Sequence, residues 1–507
     1  MTSDLLNRRT FMKLTGAALA GARIVEAQTG SPAPLDSSAH TMTAEAPRVV
    51  IYPAPEGEVL SPDYTVEVNG KPVPVYAIKS QWHDKKYSAA YFDFSGTVTV
   101  RIKPNLAALN LPASLDQLAI RPEKYGIHAT TEDGAATFTT SRHFNISFEP
   151  DGEHSPLHLF SNPIEENPPK PGDSGVIYFG PGIHTPTRID LTAGQTLYIA
   201  GGAVVNSAVT STGDNIRVMG RGILSGNNWP HSEGPTARMV WPSDGRNILI
   251  QDIIIRGAWN WTVAPSRCDQ VLIRNLRICG SRCGNDDGID PCNSSNVTIN
   301  GCFIHTDDDG IAVKGTALGE QNPRASENIV VEDCTFWIDF ANGFRIGAES
   351  RARACRNFTA RNIDFIHFPS RPQVAVFQIQ PRGNMPMANL AFEDVRINGE
   401  RPLKLIRMTC ALPQVAYEQS VTSGDGPYIH NVTYTNVSVY GKHEGPELSP
   451  LVSMQGLDEV HSIENVVLKN VVVHGTQESK EAPNIRIGGF VNAVVFDNTV
   501  AGEPVSQ

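Results

Sequence analysis

The feature that most constrains this chain is a repeat. From residue 247 onward an Asn or Asp opens an alternating apolar run, two polar residues follow, and a second short apolar run closes the unit. The units read NILIQDIIIRG from Asn247, DQVLIRNLRICG from Asp269, NVTINGCFIHT from Asn296, NIVVEDCTFWI from Asn328, NFTARNIDFIH from Asn357, NLAFEDVRING from Asn389, NVTYTNVSVYG from Asn431 and NVVLKNVVVHG from Asn465. Successive starts are 22, 27, 32, 29, 32, 42 and 34 residues apart. Two short strands per unit of about 30 residues mark a solenoid, whereas a β-propeller needs about four strands per 40-odd residues. In a β-solenoid the apolar positions alternate into the bore and coils stack at about 4.8 Å. The Asn residues mark turns where side chains can ladder, and the extra residues become loops on one face. A parallel β-helix is therefore predicted over 176–500.

The stretch before it has a different rhythm. Residues 48–161 hold strand-like runs such as YTVEVNGKPVPVYAI, TVTVRIKP and FNISFEP, with NGK, EDG and PDG as turns. They read as an antiparallel β-sandwich. Residues 162–175, NPIEENPPKPGDSG, carry too many prolines for regular structure and read as a hinge. The fold class is all-β: an N-terminal β-sandwich followed by a parallel β-helix.

Residues 1–27 read as an export signal. Asn7-Arg8-Arg9-Thr10-Phe11-Met12-Lys13 has the twin-arginine form, followed by the short apolar run LTGAALAGA. The expected location is periplasmic or secreted, with no membrane contact after signal removal. Residues 28–47, rich in Ser, Pro, Thr and Ala, read as a linker. The net charge of −11 argues against nucleic acid and anionic membrane as partners, since both need a basic face. The eight cysteines show no paired zinc spacing and read as small core residues. Neither a metal nor a cofactor is expected.

The chemistry concentrates between Gly284 and Gly315, where six aspartates fall in two matching phrases, NDDGID and DDDGIA. Asp287 and Asp308 are 21 residues apart, close to one short coil, so both are expected at the same edge of adjacent coils. Asp309 reaches the same cleft if the strand bends at Gly310. Three carboxylates in one small volume cannot all ionise cheaply, so one is expected to hold its proton. A protonated acid beside ionised neighbours is the outline of glycoside hydrolysis. A lone Asp at a solenoid turn is ordinarily a solvated turn residue, and Asp286, Asp290 and Asp307 fit that reading. The acids also invite a calcium reading, but EF-hand spacing is not met, because Ile311 falls where an oxygen ligand is needed.

The phrases N-D-D-G-I-D and D-D-G-I-A-V-K resemble the signature of the polygalacturonase clan, N-T-D-G-x-D followed by D-D-x-x-A. That resemblance implies inverting hydrolases on right-handed β-helices, with Asp308 as general acid and Asp287 and Asp309 holding and activating water. Pectin-cutting members carry G-H-G on the next coil and R-I-K beyond it; here the chain reads A-N-G-F-R-I-G, with Asn342 in place of the histidine, and then FQIQPRG. The order of sandwich and helix, with LAIRPEKYGI, VIYFGPGIH and GRGILSG across the junction, is similar to glycoside hydrolase family 49, the dextranases and isopullulanases. The resemblance implies a neutral α-glucan substrate, with a galacturonan- or rhamnogalacturonan-type polymer as alternative. The remaining alternatives are a calcium-dependent lyase and a non-catalytic glycan-binding solenoid.

A neutral glucan needs aromatic platforms. Trp259 and Trp261 in GAWNWTV lie shortly before Asp287, and alternation sends both to one face; core packing is the other reading for them and for Trp229. Lys314 is expected either to pair with Asp309 and keep it ionised or to touch substrate. Asn342, Arg345, Gln378, Gln380 and Arg382, from the following coils, are candidate substrate contacts. The arginines between Arg345 and Arg371 are the best argument in the sequence for an acidic sugar.

Overall fold

The computed structural model describes residues 46–81, 85–111, 114–280, 282–316, 323–382, 385–411 and 426–498. The export signal and nearly all of the linker expected from the sequence lie outside the described residues. Among those described, strands dominate, the only helix is the single 3-10 turn Glu123–Tyr125, and no helix is long and apolar enough to cross a membrane.

Two sheets face one another between Arg48 and Pro163. One has five strands, with Tyr64–Val68 and Val98–Pro104 near its centre, and the other has six, with Tyr87–Ser95 and Leu157–Pro163 side by side. Alternation along Tyr64–Val68 and Val98–Pro104 sends Tyr64, Val66, Val68, Val98, Val100 and Ile102 into a shared core with Phe92, Phe94 and Phe148. The sandwich differs from a purely antiparallel one at a single pairing: Leu157–Pro163 runs parallel to Tyr87–Ser95. Two strands far apart in sequence need no hairpin, so nothing local forces them antiparallel.

The solenoid follows. Each coil contributes to a second wall and to one long sheet of 20 strands, parallel except where Ile463–Val473 pairs with the short strand Thr476–Gln477. The repeat-opening asparagines take the left-handed conformation, with φ of 59° at Asn247, 55° at Asn296, 57° at Asn328 and 60° at Asn389. Asn and Asp tolerate that region better than other residues with a side chain. Their amides form a ladder: Asn328 Nδ2 donates to Asn296 Oδ1 at 3.1 Å, Asn357 to Asn328 at 2.9 Å, Asn389 to Asn357 at 3.0 Å and Asn431 to Asn389 at 3.1 Å. In the Asp269 unit the left-handed residue is Gln270, and Asp269 accepts from Asn296 Nδ2 at 2.6 Å. The bore is apolar, filled by stacks such as Ile248, Val271, Val297, Ile329, Phe358 and Leu390. All eight cysteines are buried and unpaired, in keeping with core thiols.

The second wall is broken in the middle. Strands Arg188–Leu191, Ala208–Thr212 and Val240–Ser243 form its first part, and Ile311–Thr316 begins a six-stranded second part. Between them only isolated bridges continue the stack, Val240–Val263–Ile289–Ile311 and Ser243–Ser266–Cys292–Lys314. The aspartate phrases sit beside this interruption.

The sandwich braces the opposite side of the coil stack. Tyr76, Tyr87, Tyr91 and Phe160 pack against Val204, Ile223, Ile254, Phe303 and Trp337 of the solenoid. Buried polar pairs lock the contact. Lys85 Nζ lies 2.7 Å from Asp339 Oδ1, Tyr87 Oη donates to Asp339 Oδ2 at 3.0 Å, and Arg221 Nε donates to Asp93 Oδ2 at 2.9 Å.

Candidate active site

Bridges Ile289–Ile311 and Val263–Ile289 and the pairing of Ile311 with Phe344 fix the coil register. Counting back two residues from each places Trp261, Asp287, Asp309 and Asn342 at one position of four successive coils. The register thus pairs Asp287 with Asp309, and Asp286 with Asp308, where the spacing of 21 had suggested Asp287 and Asp308. Backbone bonds agree, with Gly288 N–H donating to Asp309 O at 2.9 Å and Gly310 N–H to Asn342 O at 2.9 Å. Gly310 serves by being small. A Cβ there would meet Gly343 O at 2.8 Å and the Phe336 ring at 2.9 Å.

One carboxylate oxygen from each of Asp287, Asp308 and Asp309 lies within 4.8 Å of the other two. They line a cleft of about 550 Å³ with Arg238, Trp261, Asn285, Lys314, Asn342, Arg345, Glu349 and Arg351. Asp308 is the half-exposed acid of the three; Asp287 and Asp309 are buried.

Each acid is held differently. Asp287 Oδ2 accepts from Lys314 Nζ at 2.6 Å, while its Oδ1 is buried without a protein partner. Asp309 Oδ1 accepts from the Asn342 backbone N–H at 2.9 Å and from Asn342 Nδ2 at 2.7 Å. Asp308 Oδ1 accepts the neighbouring Asp309 N–H at 2.9 Å, and among the described residues no cation pairs with it. Burial, followed by the charges of Asp287 and Asp309, pushes the Asp308 carboxyl well above the usual range. Burial likewise pushes Asp287 up to about 7, against the pull of Lys314. Lys314 touches Asp287 and not Asp308, so Asp287 ionises first. Burial alone would strip the Lys314 ammonium, but Asp287 and Asp290 outweigh it and hold its proton well above the usual lysine range.

Several expectations change. Asp286, Asp290 and Asp307 are buried rather than solvated turn residues. Asp286 ties the two phrases together: its Oδ1 accepts from the Asp307 and Asp308 N–H groups at 2.8 and 3.1 Å, and its Oδ2 from the Arg282 N–H at 2.6 Å. Asp290 Oδ2 lies 3.6 Å from Lys314 Nζ, a second counter-charge. Trp259 and Trp261 do not share a face. Residues 257–261 bend and are not a strand, so alternation does not apply. Trp259 is 1% exposed in the bore, with Nε1 donating to Thr236 O at 2.8 Å and its ring edge-on to Trp229 at 5.0 Å.

Trp261 does reach the cleft, but cations cover it. Lys314 Nζ lies 3.3 Å from its ring centroid and the Arg238 guanidinium 4.5 Å. Lys314 therefore pairs with Asp287 and Asp290, where the sequence suggested Asp309, and caps the indole. Asn342 positions Asp309 and the next coil, its Oδ1 accepting from the Ala375 N–H at 3.0 Å. One amide hydrogen and the amide oxygen are thus engaged by protein, while the residue still lines the cleft.

Arg345 lines the cleft; Gln378, Gln380 and Arg382 do not. Gln378 and Gln380 are 1% and 7% exposed and bond each other at 3.3 Å. The sequence reading missed Arg238, Asn285, Glu349 and Arg351. Arg238 comes from a loop outside the repeat. Arg351 comes opposite Thr316 only because the register shifts between Val313 and Gly315, which sequence spacing does not reveal.

A row of cations continues along the second wall. Arg345 pairs in register with Gln378, Gln378 with Arg407, Arg407 with Ser453 and Ser453 with Arg486. Burial, then repulsion from Arg345, pulls Arg407 below the usual arginine range. Burial, then Arg407 and Arg486, does the same to Lys404.

Residues 192–367, which contain both aspartate phrases, match the family described as glycosyl hydrolases family 28. A polygalacturonase from Juniperus ashei is 23% identical over 239 residues, 44% of this chain and 44% of that protein, so the match spans less than half of the relative. Among solved structures, Dex49A from Penicillium minioluteum superposes with a TM-score of 0.60 at 15% identity, covering 88% of this chain and 96% of that one. That likeness establishes a shared fold. A hyperthermoactive exopolygalacturonase from Thermotoga maritima gives a TM-score of 0.47 at 17% identity over 64% of this chain and 83% of its own.

Proposed function

We propose that the protein hydrolyses α-glycosidic bonds of a polysaccharide with inversion, and that the polymer carries acidic sugars. The convergence of Asp287, Asp308 and Asp309 supports the reaction. Asp308, the least buried of the three acids, whose proton burial and its neighbours retain, gives that proton to the leaving glycosidic oxygen. Water held between Asp287 and Asp309 attacks the anomeric carbon from the other side as the bond to the leaving oxygen breaks. The proton it sheds goes to one of those two carboxylates.

Spacing bears on the stereochemistry. Acid and base stand roughly 6.5–9.5 Å apart in most inverting enzymes and about 5–5.5 Å in retaining ones. The nearest oxygens of all three acids, Asp308 included, lie within 4.8 Å of one another, so spacing does not select inversion; the match of residues 192–367 to glycosyl hydrolases family 28 is what supports it. Two hydrogen bonds of about 2.7 Å through one water span up to about 5.4 Å. The buried, unpartnered Oδ1 of Asp287 is a ready acceptor for that water. Proton NMR of the first anomer released is the check: retention of configuration refutes the water-holding role.

The single observation that favours an acidic polymer is the row from Arg345 through Arg407 to Arg486, leading away from the acids along the coil axis. Guanidinium groups match carboxylates bidentately. A neutral glucan would use a bare aromatic face instead, and the face of Trp261 is already taken by Lys314 and Arg238. Reducing-sugar release from wild type and Asp308→Asn on pectic polymers, dextran and pullulan tests the reading. Release from the glucans alone overturns the acidic substrate, and identical wild-type and variant traces overturn hydrolysis here. The twin-arginine segment Asn7–Lys13 supports action outside the cytoplasm, and fractionation of expressing cells tests that.

A further inference from the structure

Far from the acid cleft in sequence, three side chains of the last coils turn toward one another. His443 and Glu447 lie in the loop between strands Ile429–Tyr440 and Val452–Gln455, and His474 directly follows strand Ile463–Val473. Nitrogen atoms of both histidines and a carboxylate oxygen of Glu447 lie within 4.8 Å of one another.

The backbone aims all three. His443 Nδ1 lies 2.8 Å from Gly399 O, and His474 Nδ1 lies 3.0 Å from Gly441 O. A carbonyl only accepts, so each Nδ1 carries a proton and each neutral ring presents the lone pair of Nε2. Glu447 Oε2 accepts from the Leu403 N–H at 2.6 Å, which leaves Oε1 for the cluster. Oε1 lies 2.6 Å from His474 Nε2 and 3.6 Å from His443 Nε2. Histidines oriented through Nδ1 by backbone carbonyls, with Nε2 free, are the arrangement in which imidazole binds metals. Tetrahedral ligation at roughly 2.1 Å sets ligand atoms about 3.4 Å apart, between the two separations observed.

A second observation points the same way. Glu478 is 6% exposed, lines the same pocket, and its Oε2 is buried with no partner. A buried carboxylate oxygen without a donor is costly unless a cation completes it.

We propose that His443 Nε2, His474 Nε2 and Glu447 Oε1 bind one divalent transition-metal ion of the zinc type, with water at the fourth position and Glu478 as a further negative charge lining the pocket. Two imidazoles and a carboxylate suit zinc rather than calcium or magnesium. The ion pins the 441–450 loop to the following coil. None of these residues lines the acid cleft.

The test uses the full chain after chelator treatment. Zn²⁺ binding is measured by equilibrium dialysis, and Co²⁺ is followed by its visible absorption, which reports tetrahedral nitrogen and oxygen ligands. The expected result is one Zn²⁺ per chain at micromolar concentration. Affinity should fall at least tenfold in His474→Gln and in Glu447→Gln, and be unchanged in Asp287→Asn. No binding by wild type overturns the proposal and leaves a protonated His474–Glu447 pair. Binding that survives both cluster variants but is lost in Asp287→Asn also overturns it, because the ion would then sit among the cleft acids.

Discussion

Lys314 Nζ lies 2.6 Å from Asp287 Oδ2 and 3.3 Å from the centroid of the Trp261 ring. One buried ammonium thus holds an acid of one coil and caps an aromatic of the coil before it. It also explains how Asp287 and Asp290 can both be buried, since Lys314 is counter-charge to each.

Replacing Lys314 with Met removes the charge that opposes burial at Asp287, so that carboxyl rises further. Activity needs Asp287 ionised and Asp308 protonated. The acid limb of the kcat/KM profile therefore moves to higher pH in Lys314→Met, and the alkaline limb, set by Asp308, moves less. A pH–rate series on both proteins reads this directly; an acid limb that stays put removes Lys314 from the charge balance.

Asp308→Asn keeps the shape of the side chain and its bond to the Asp309 N–H but cannot protonate a leaving group. General-acid catalysis contributes roughly 10²–10⁴-fold, so kcat should fall by about that factor with KM little changed and the circular-dichroism spectrum intact.

The two tryptophans should separate cleanly. Trp259→Ala empties part of the bore and should cost roughly 3–5 kcal/mol in chemical denaturation. Trp261→Ala, on the cleft wall, should raise KM and shift the pH profile with a much smaller loss of stability. Equal losses for both would contradict the burial difference between them.

On the acidic-substrate reading, Arg345→Ala and Arg407→Ala should raise KM for a carboxylate-bearing polymer several-fold, and the wild-type KM should rise with salt as screening weakens those contacts. Salt-independent binding would argue for a neutral sugar.

Asp339 ties the sandwich to the helix. Burial opposes its charge, but His305 and Lys85 prevail and hold its carboxyl well below the usual range. A depressed carboxylate stabilises above its unfolded pKa of about 3.9, and that stability is lost as pH falls toward the folded value. Asp339→Asn should cost roughly 3–5 kcal/mol at neutral pH. The gap from wild type, read by urea titration, should narrow below about pH 4.

The sequence by itself determined the architecture. Alternation and Asn-led turns are local signals, and a coil meets only its neighbours, so period and pattern suffice to specify a stack. The two aspartate phrases were legible for the same reason, as repeated words at one coil's spacing. Which aspartates share a rung was decided only by tertiary structure, because register rests on the bridges through Ile289 and Ile311 and a one-residue offset exchanges Asp308 for Asp309. The three-dimensional fold also decided the partners: Lys314 beneath Asp287, Asn342 beneath Asp309 and Trp259 turned into the bore. Those contacts join coils through bends and variable loops, where strand alternation no longer dictates direction and only close packing does.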